Sequence, residues 1–172
     1  MNNIFKKEKG FTLIEMIISI MIITIGVLGA YSAVLKYTKN TQQARENLIA
    51  VYLCQEGIEI IKNIRDSNWI SGEDWHEGLG ICASGCEIDY EKKGGDGVTD
   101  GLTVWSSPGN FLYIDATTGL YKYEHTSSDI ETPWTRKIII DTIGSLDSAK
   151  ITVEVEWNSK LMIVKENIYN WK

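Results

Sequence analysis

At 172 residues the chain has room for one membrane helix and one modest soluble domain. Its formal net charge of −6 argues against a broad nucleic-acid-binding surface built by this chain alone. Six tryptophans and eight tyrosines exclude a mainly disordered product, because disordered segments are poor in aromatic residues.

The first predicted element follows a short basic leader. Lys6, Lys7 and Lys9 precede Gly10, and from Phe11 to Leu35 the only charged residue is Glu15, with no proline. A helix over that run reaches about 37 Å at ~1.5 Å per residue, enough to cross a hydrocarbon core of ~30 Å with some tilt. A carboxylate at mid-bilayer costs roughly 2.5–3.5 kcal/mol, so Glu15 reads as a functional group in need of a partner. In the intact chain the nearby lysines all lie on the other side of Gly10. A cut between Gly10 and Phe11 would create an α-ammonium four residues from Glu15. A neighbouring copy staggered by one turn could then offer its ammonium to this carboxylate. A secretory signal would need a shorter apolar region followed by a small-x-small site, and no Ala-x-Ala is present. A plain single-pass anchor stays open: the lysines would hold the amino terminus in the cytoplasm, and Glu15 would snorkel to the interface.

Between Tyr37 and Asp66 a second helical half is predicted. Ala50, Leu53 or Cys54, Ile58, Ile61 and Ile64 recur at spacings of three and four and form one apolar stripe. Arg45, Glu46, Glu56, Glu59, Lys62 and Arg65 occupy the opposite face, with Glu59 and Lys62 one turn apart. Gly57 costs such a helix roughly 1 kcal/mol against alanine, which predicts a strand passing close by. The helix is expected to stop at Ser67-Asn68, before the turn-rich Ser71-Gly72-Glu73-Asp74. Gly26 and Gly29 are the weak points of the first half and do not form Gly-x-x-x-Gly.

From Ser71 to Pro108 turn signals dominate. Cys82 and Cys86 flank Ala-Ser-Gly, where Gly85 gives the backbone freedom for a small disulfide ring outside the cytoplasm; two free thiols are the alternative. His76 and His125 lack ligand spacing to this pair, so no metal site is expected. Cys54 reads as a small core residue. Cys86–Tyr90 is a candidate short strand. Asp96-Gly97-Val98-Thr99-Asp100-Gly101 resembles a calcium loop only superficially: position three would be Val98 and position twelve Ser107, so an acidic turn is expected.

Beyond Pro108 the pattern becomes β. Phe111–Asp115 and Leu120–Tyr123 flank Ala-Thr-Thr-Gly, a hairpin with Gly119 in the left-handed position. Trp134–Thr142 carries the β-branched run Ile138-Ile139-Ile140. Lys150–Trp157 alternates apolar and polar residues, and Asn158-Ser159-Lys160 turns the chain into Leu161–Ile168. The expected fold class is α+β: one long amino-terminal helix, packed by its second half on an antiparallel sheet of about four or five strands. No Gly-x-Ser-x-Gly, His-Glu-x-x-His or phosphate-binding loop appears, so no catalytic residue, cofactor or small-molecule substrate is expected.

Lys9-Gly10-Phe11-Thr12-Leu13-Ile14-Glu15, followed by an unbroken apolar helix, resembles the class III signal of type IV prepilins and type II secretion pseudopilins. The resemblance implies a pilin-like fold and a chain in four parts: leader 1–10, membrane and filament-core segment 11–35, amphipathic helix 36–68, and globular domain 69–172. It implies that a prepilin peptidase cuts after Gly10 and methylates Phe11, and that Glu15 serves assembly. Its implied partners are the peptidase, the membrane, other pilin or pseudopilin subunits and, indirectly, an assembly platform protein and its ATPase; direct nucleic-acid contact is not expected. The implied location is the bacterial inner membrane, amino terminus in the cytoplasm, and then a filament with the globular domain outside. Gln55-Glu56-Gly57-Ile58-Glu59, with Asn68-Trp69 after it, is similar to minor pilins of the V type and pseudopilins of the I type. That similarity points to a low-abundance structural subunit of a pilus, a secretion pseudopilus or a competence system. The reading from another class is a membrane-tethered extracytoplasmic binding module.

Overall fold

The computed structural model describes residues 10–90, 101–142 and 147–170. The leader residues 1–9 and most of the calcium-like loop at Asp96–Gly101 lie outside these ranges. The chain divides into two compact units, Met1–Arg45 and Glu46–Lys172. A single helix, α1, runs over Leu13–Ser71 and contributes to both.

In the second unit, the predicted stripe of α1 is the buried one. Ala50, Leu53, Cys54, Ile58, Ile61 and Ile64 are all buried, joined by Gly57, Ile60 and Asn68. They face an antiparallel sheet built from β1 (Cys86–Glu87), β2 (Thr103–Val104), β3 (Phe111–Ile114), β4 (Tyr121–Lys122), β5 (Ile130–Thr142), β6 (Ser148–Trp157) and β7 (Lys160–Tyr169). The fold is thus α+β, one long helix packed on an antiparallel sheet. Seven strands form where about four or five were expected: the strands read at Cys86–Tyr90 and Leu120–Tyr123 are present as the two-residue β1 and β4, while β2 is a two-residue pairing too short to show a period of two.

Strand β5 organises the sheet. One flank pairs with β6 over eight positions, from Thr135↔Glu156 to Thr142↔Ala149. Its other flank is shared by β3, through Phe111↔Thr135 and Ile114↔Ile130, and by β1, through Cys86↔Ile138. Strand β6 turns into β7 through Asn158 and Ser159, both with positive φ (46° and 63°), a two-residue hairpin of the kind that suits strand twist. Among the described strands β7 pairs only with β6. Alternate residues of β5 and β6 (Trp134, Ile138, Ile140, Ala149, Ile151, Val153, Val155 and Trp157) are buried and share the core with the helix.

Close packing explains Gly57. A Cβ there would stand 3.2 Å from Ile138 Cδ1, 3.3 Å from Val153 Cγ1 and 3.4 Å from Arg136 Cδ, so strands β5 and β6 do pass where the sequence predicted one. Glu59 and Lys62 pair at 3.1 Å, and Lys62 also reaches Glu166 on β7 at 2.7 Å. Near the start of this unit, Glu46 accepts bonds from Trp157 Nε1 (3.2 Å) and Lys160 Nζ (2.7 Å).

The helix continues one turn beyond the expected stop. Asn68 is fully buried, and its amide donates to the carbonyls of Trp75 (3.2 Å) and Glu77 (3.0 Å), anchoring the following loop instead of ending the helix. Termination falls to Gly72, with φ at 81°. Its N–H bonds Trp69 O at 3.2 Å while the Glu73 N–H bonds Asn68 O at 3.0 Å, the two-bond pattern of a Schellman cap. In the β3–β4 hairpin Gly119 takes φ 73°, as its position predicted, and donates to Asp115 O at 2.8 Å.

Candidate functional site

In the first unit, Gly10, Phe11 and Thr12 precede the helix. Thr12 caps it: its Oγ1 accepts the Glu15 N–H at 3.3 Å, and its carbonyl accepts the Met16 N–H at 3.2 Å. Every residue from Phe11 to Leu35 is exposed. The large apolar side chains among them expose between 49% (Ile18) and 78% (Leu13) of their surface. Such a continuous apolar surface marks a segment meant for lipid or for other chains. By length and composition α1 is also long and apolar enough to cross a membrane.

Three hydroxyls within this apolar run are satisfied by its own backbone. Ser19, Thr24 and Ser32 donate to the carbonyls four residues earlier, those of Glu15, Ile20 and Leu28, at 2.7, 2.7 and 2.9 Å. A hydroxyl bonded in this way needs no water, so these residues can sit in lipid or in a helix bundle at little cost. Glu15 is different: no donor among the described residues bonds its carboxylate. Its charge lies in the first turn, where the helix dipole favours an anion.

In the second unit, Cys82 and Cys86 form a disulfide, with an S–S distance of 2.00 Å and Cα atoms 4.7 Å apart. Both are buried. Gly85 between them holds φ at 110°, and a Cβ there would clash with the Lys137 side chain at 2.5 Å. Cys54 is a free thiol in the core, and burial pushes its pKa up to about 11. Among the described residues no cluster of three His, Cys, Asp or Glu side chains is placed to hold a metal ion.

Two charged clusters here escaped the sequence reading. Arg136 is 0% exposed, beneath the helix. Its Nη1 donates to Leu53 O (3.2 Å) and lies 3.3 Å from Glu56 Oε1, and its Nη2 donates to Ile88 O (2.6 Å). Burial works against this charge, but the Tyr123 hydroxyl and the Glu56 carboxylate more than offset it, and the guanidinium holds its proton more tightly than usual. Tyr123 Oη donates to Arg136 O at 3.0 Å, and burial lifts its own pKa to about 12. The second cluster is Lys122, whose ammonium bonds Asp115 Oδ2 at 2.5 Å and Asp129 Oδ2 at 3.3 Å, its side chain only 8% exposed. Asp115 also accepts the N–H groups of Thr117 and Thr118, and Asp129 those of Thr126 and Ala116, which ties down both loops around the hairpin.

A cleft of about 360 Å³ opens beside this hairpin, lined by Asn110, Phe111, Tyr113 and His125 among others, with the Tyr113 and His125 rings stacked at 4.0 Å. The predicted residues Gly10, Phe11 and Glu15 thus fall together at the start of α1 in the first unit, and Cys82 and Cys86 in the second. The signal that could have found Arg136 is phase: it alternates with Trp134 and Ile138, both of which point into the core.

Residues 5–31 match the family described as the prokaryotic N-terminal methylation motif. An exposed apolar helix, this motif at its head, and an antiparallel sheet packed on the helix's later turns define a type IV pilin-like protein. The motif makes the chain a prepilin-like substrate of the pilin and pseudopilin class, in which the subunit is structural and anchored in the membrane by its apolar helix. No curated protein and no solved structure matches the chain.

Proposed function

We propose that this chain is a low-abundance prepilin-like subunit of a type IV pilus or a type II secretion pseudopilus. A prepilin peptidase removes residues 1–10 and methylates the amino group of Phe11. The membrane stores the mature subunit with its amino terminus on the cytoplasmic side and residues 69–172 outside, where the Cys82–Cys86 bond forms. A platform protein, driven by its ATPase, then moves the subunit into a helical filament. Phe11–Leu35 lines the filament core, and Glu15 receives the α-ammonium of a neighbouring subunit.

The observation that carries this reading is the Glu15 carboxylate, which no donor among the described residues bonds, in a segment, Phe11–Leu35, where Ser19, Thr24 and Ser32 bond their own backbone and every residue is exposed. An uncompensated charge in an apolar bundle costs several kcal/mol, so the assembled state must supply the counter-charge. The similarity of Gln55–Glu59 and Asn68-Trp69 to minor subunits supports the low-abundance role.

Mass spectrometry of protein recovered from membranes tests processing. The expected mature chain begins at N-methyl-Phe11, and an intact Met1 would leave only a tethered extracytoplasmic module. Glu15→Ala tests assembly. The variant should insert and be cleaved yet be missing from sheared filaments, and normal incorporation would refute the pairing.

A further inference from the structure

Thr12 is the residue that fixes where α1 begins. The helix starts at Leu13, and Thr12 supplies both parts of an N-cap: a side-chain oxygen on the Glu15 N–H and a carbonyl on the Met16 N–H. Thr12-x-x-Glu15 is also the sequence spacing of a capping box. The two residues before it are open. Gly10 and Phe11 are exposed and non-helical, and a Cβ added to Gly10 meets nothing within 4 Å. Nor does Gly10 sit in the left-handed region, unlike Gly72, Gly85 or Gly119. Among the described residues nothing packs against Gly10, so the backbone on either side of the Gly10–Phe11 bond is open.

We propose that Thr12 is a positioning residue for processing: its cap keeps the Gly10–Phe11 peptide outside the helix, in open backbone that a peptidase can grip. The inference rests on reading Gly10–Phe11 as the scissile bond. A peptide inside a helix has its carbonyl engaged in the i→i+4 ladder and is walled by side chains, so cleavage would first require local unwinding. Without an acceptor at position 12, the helix is free to start a residue or two earlier and wind Phe11 into its first turn. Thr12 acts through the backbone conformation and touches no reacting atom.

The test uses the full chain in membranes or micelles with a purified prepilin peptidase. It compares wild type with Thr12→Val, an isostere without the acceptor, and Thr12→Asn, which caps through its amide oxygen but has no hydroxyl. Thr12→Val should be cut more slowly, by up to about fivefold, the population ratio matching a cap of ~1 kcal/mol. Amide exchange at Glu15, measured on the uncut chain, should rise by a similar factor in Thr12→Val. Thr12→Asn should restore both readouts. Wild-type cleavage of Thr12→Val would overturn the proposal. So would slow cleavage of Thr12→Asn with exchange restored, since the peptidase would then be reading the hydroxyl itself. A wild-type chain that the peptidase never cuts would instead defeat the processing reading on which this rests.

Discussion

Replacing Arg136 with methionine keeps the side-chain stem in the core and removes the guanidinium. Two acceptors lose a charged donor, Ile88 O at 2.6 Å and Leu53 O at 3.2 Å. A buried carbonyl left without its partner costs ~1–3 kcal/mol, and the Ile88 carbonyl bears most of that. Stranding the partner of a buried ion pair can cost ~3–5 kcal/mol. Glu56 escapes most of this, because its side chain is 30% exposed and can turn to water. The guanidinium's own desolvation is recovered, which offsets part of the loss. The expected destabilisation is about 2–3 kcal/mol, a large share of the ~5–15 kcal/mol typical of a domain. Urea unfolding of the full chain in mild detergent, followed by fluorescence of the packed Trp134–Trp157 pair, reads it directly. The midpoint should fall by about 1–2 M with an unchanged slope. Glu56→Gln should cost less than ~1 kcal/mol in the same assay. An Arg136→Met variant within ~0.5 kcal/mol of wild type would refute the view that this guanidinium ties helix to sheet.

Acid should loosen the β3–β4 hairpin late. The Lys122 ammonium and the Thr117 and Thr118 amides hold the Asp115 carboxyl well below its ordinary 3.8; the Thr126 and Ala116 amides, then Lys122, hold Asp129 at about 2. Depressed folded values stabilise above pH ~4 and lose that contribution as pH falls towards 2. The amide resonances of Thr117, Thr118 and Thr126 should therefore titrate below pH 3, and midpoints near 4 would exclude the cluster. Cys54, buried with its pKa near 11, should resist alkylation in the folded chain at pH 8 and react once on unfolding, so rapid labelling of the native protein would contradict its placement. Gly57→Val should destabilise the second unit by ~1–3 kcal/mol through overpacking against Ile138, Val153 and Arg136; an unchanged urea midpoint would show that strands β5 and β6 can retreat.

Much of this fold was legible because periodicity is a local signal. The stripe from Ala50 to Ile64, the alternation of β6 and the turn at Gly119 each depend on residues close in sequence. What escaped depends on partners far apart. Arg136 reads as a surface charge until the phase of β5 is counted from Trp134, and its acceptors at Leu53 and Ile88 lie 83 and 48 residues away. Lys122 looks like one more polar residue in a hairpin, and nothing local announces that Asp115 and Asp129 converge on its ammonium. Asn68 resembled a helix stop because asparagine often is one; the carbonyls of Trp75 and Glu77 gave its amide other work. At the amino terminus the apolar run and Glu15 were plain in the sequence, while the Thr12 cap needed coordinates to separate it from one more residue of a motif.

Among the described strands the outer flank of β7 has no partner, and that matters when this protein is concentrated. A ten-residue strand with Leu161 and Ile163 turned outward is a template onto which further strands can stack, ending in insoluble ribbons. Lys165 sits two residues past Ile163 on the same face and acts as gatekeeper, because in-register stacking would line up like ammoniums at every layer. Neutralising that lysine, by acetylation or by substitution, removes the guard without disturbing a single native bond of the core.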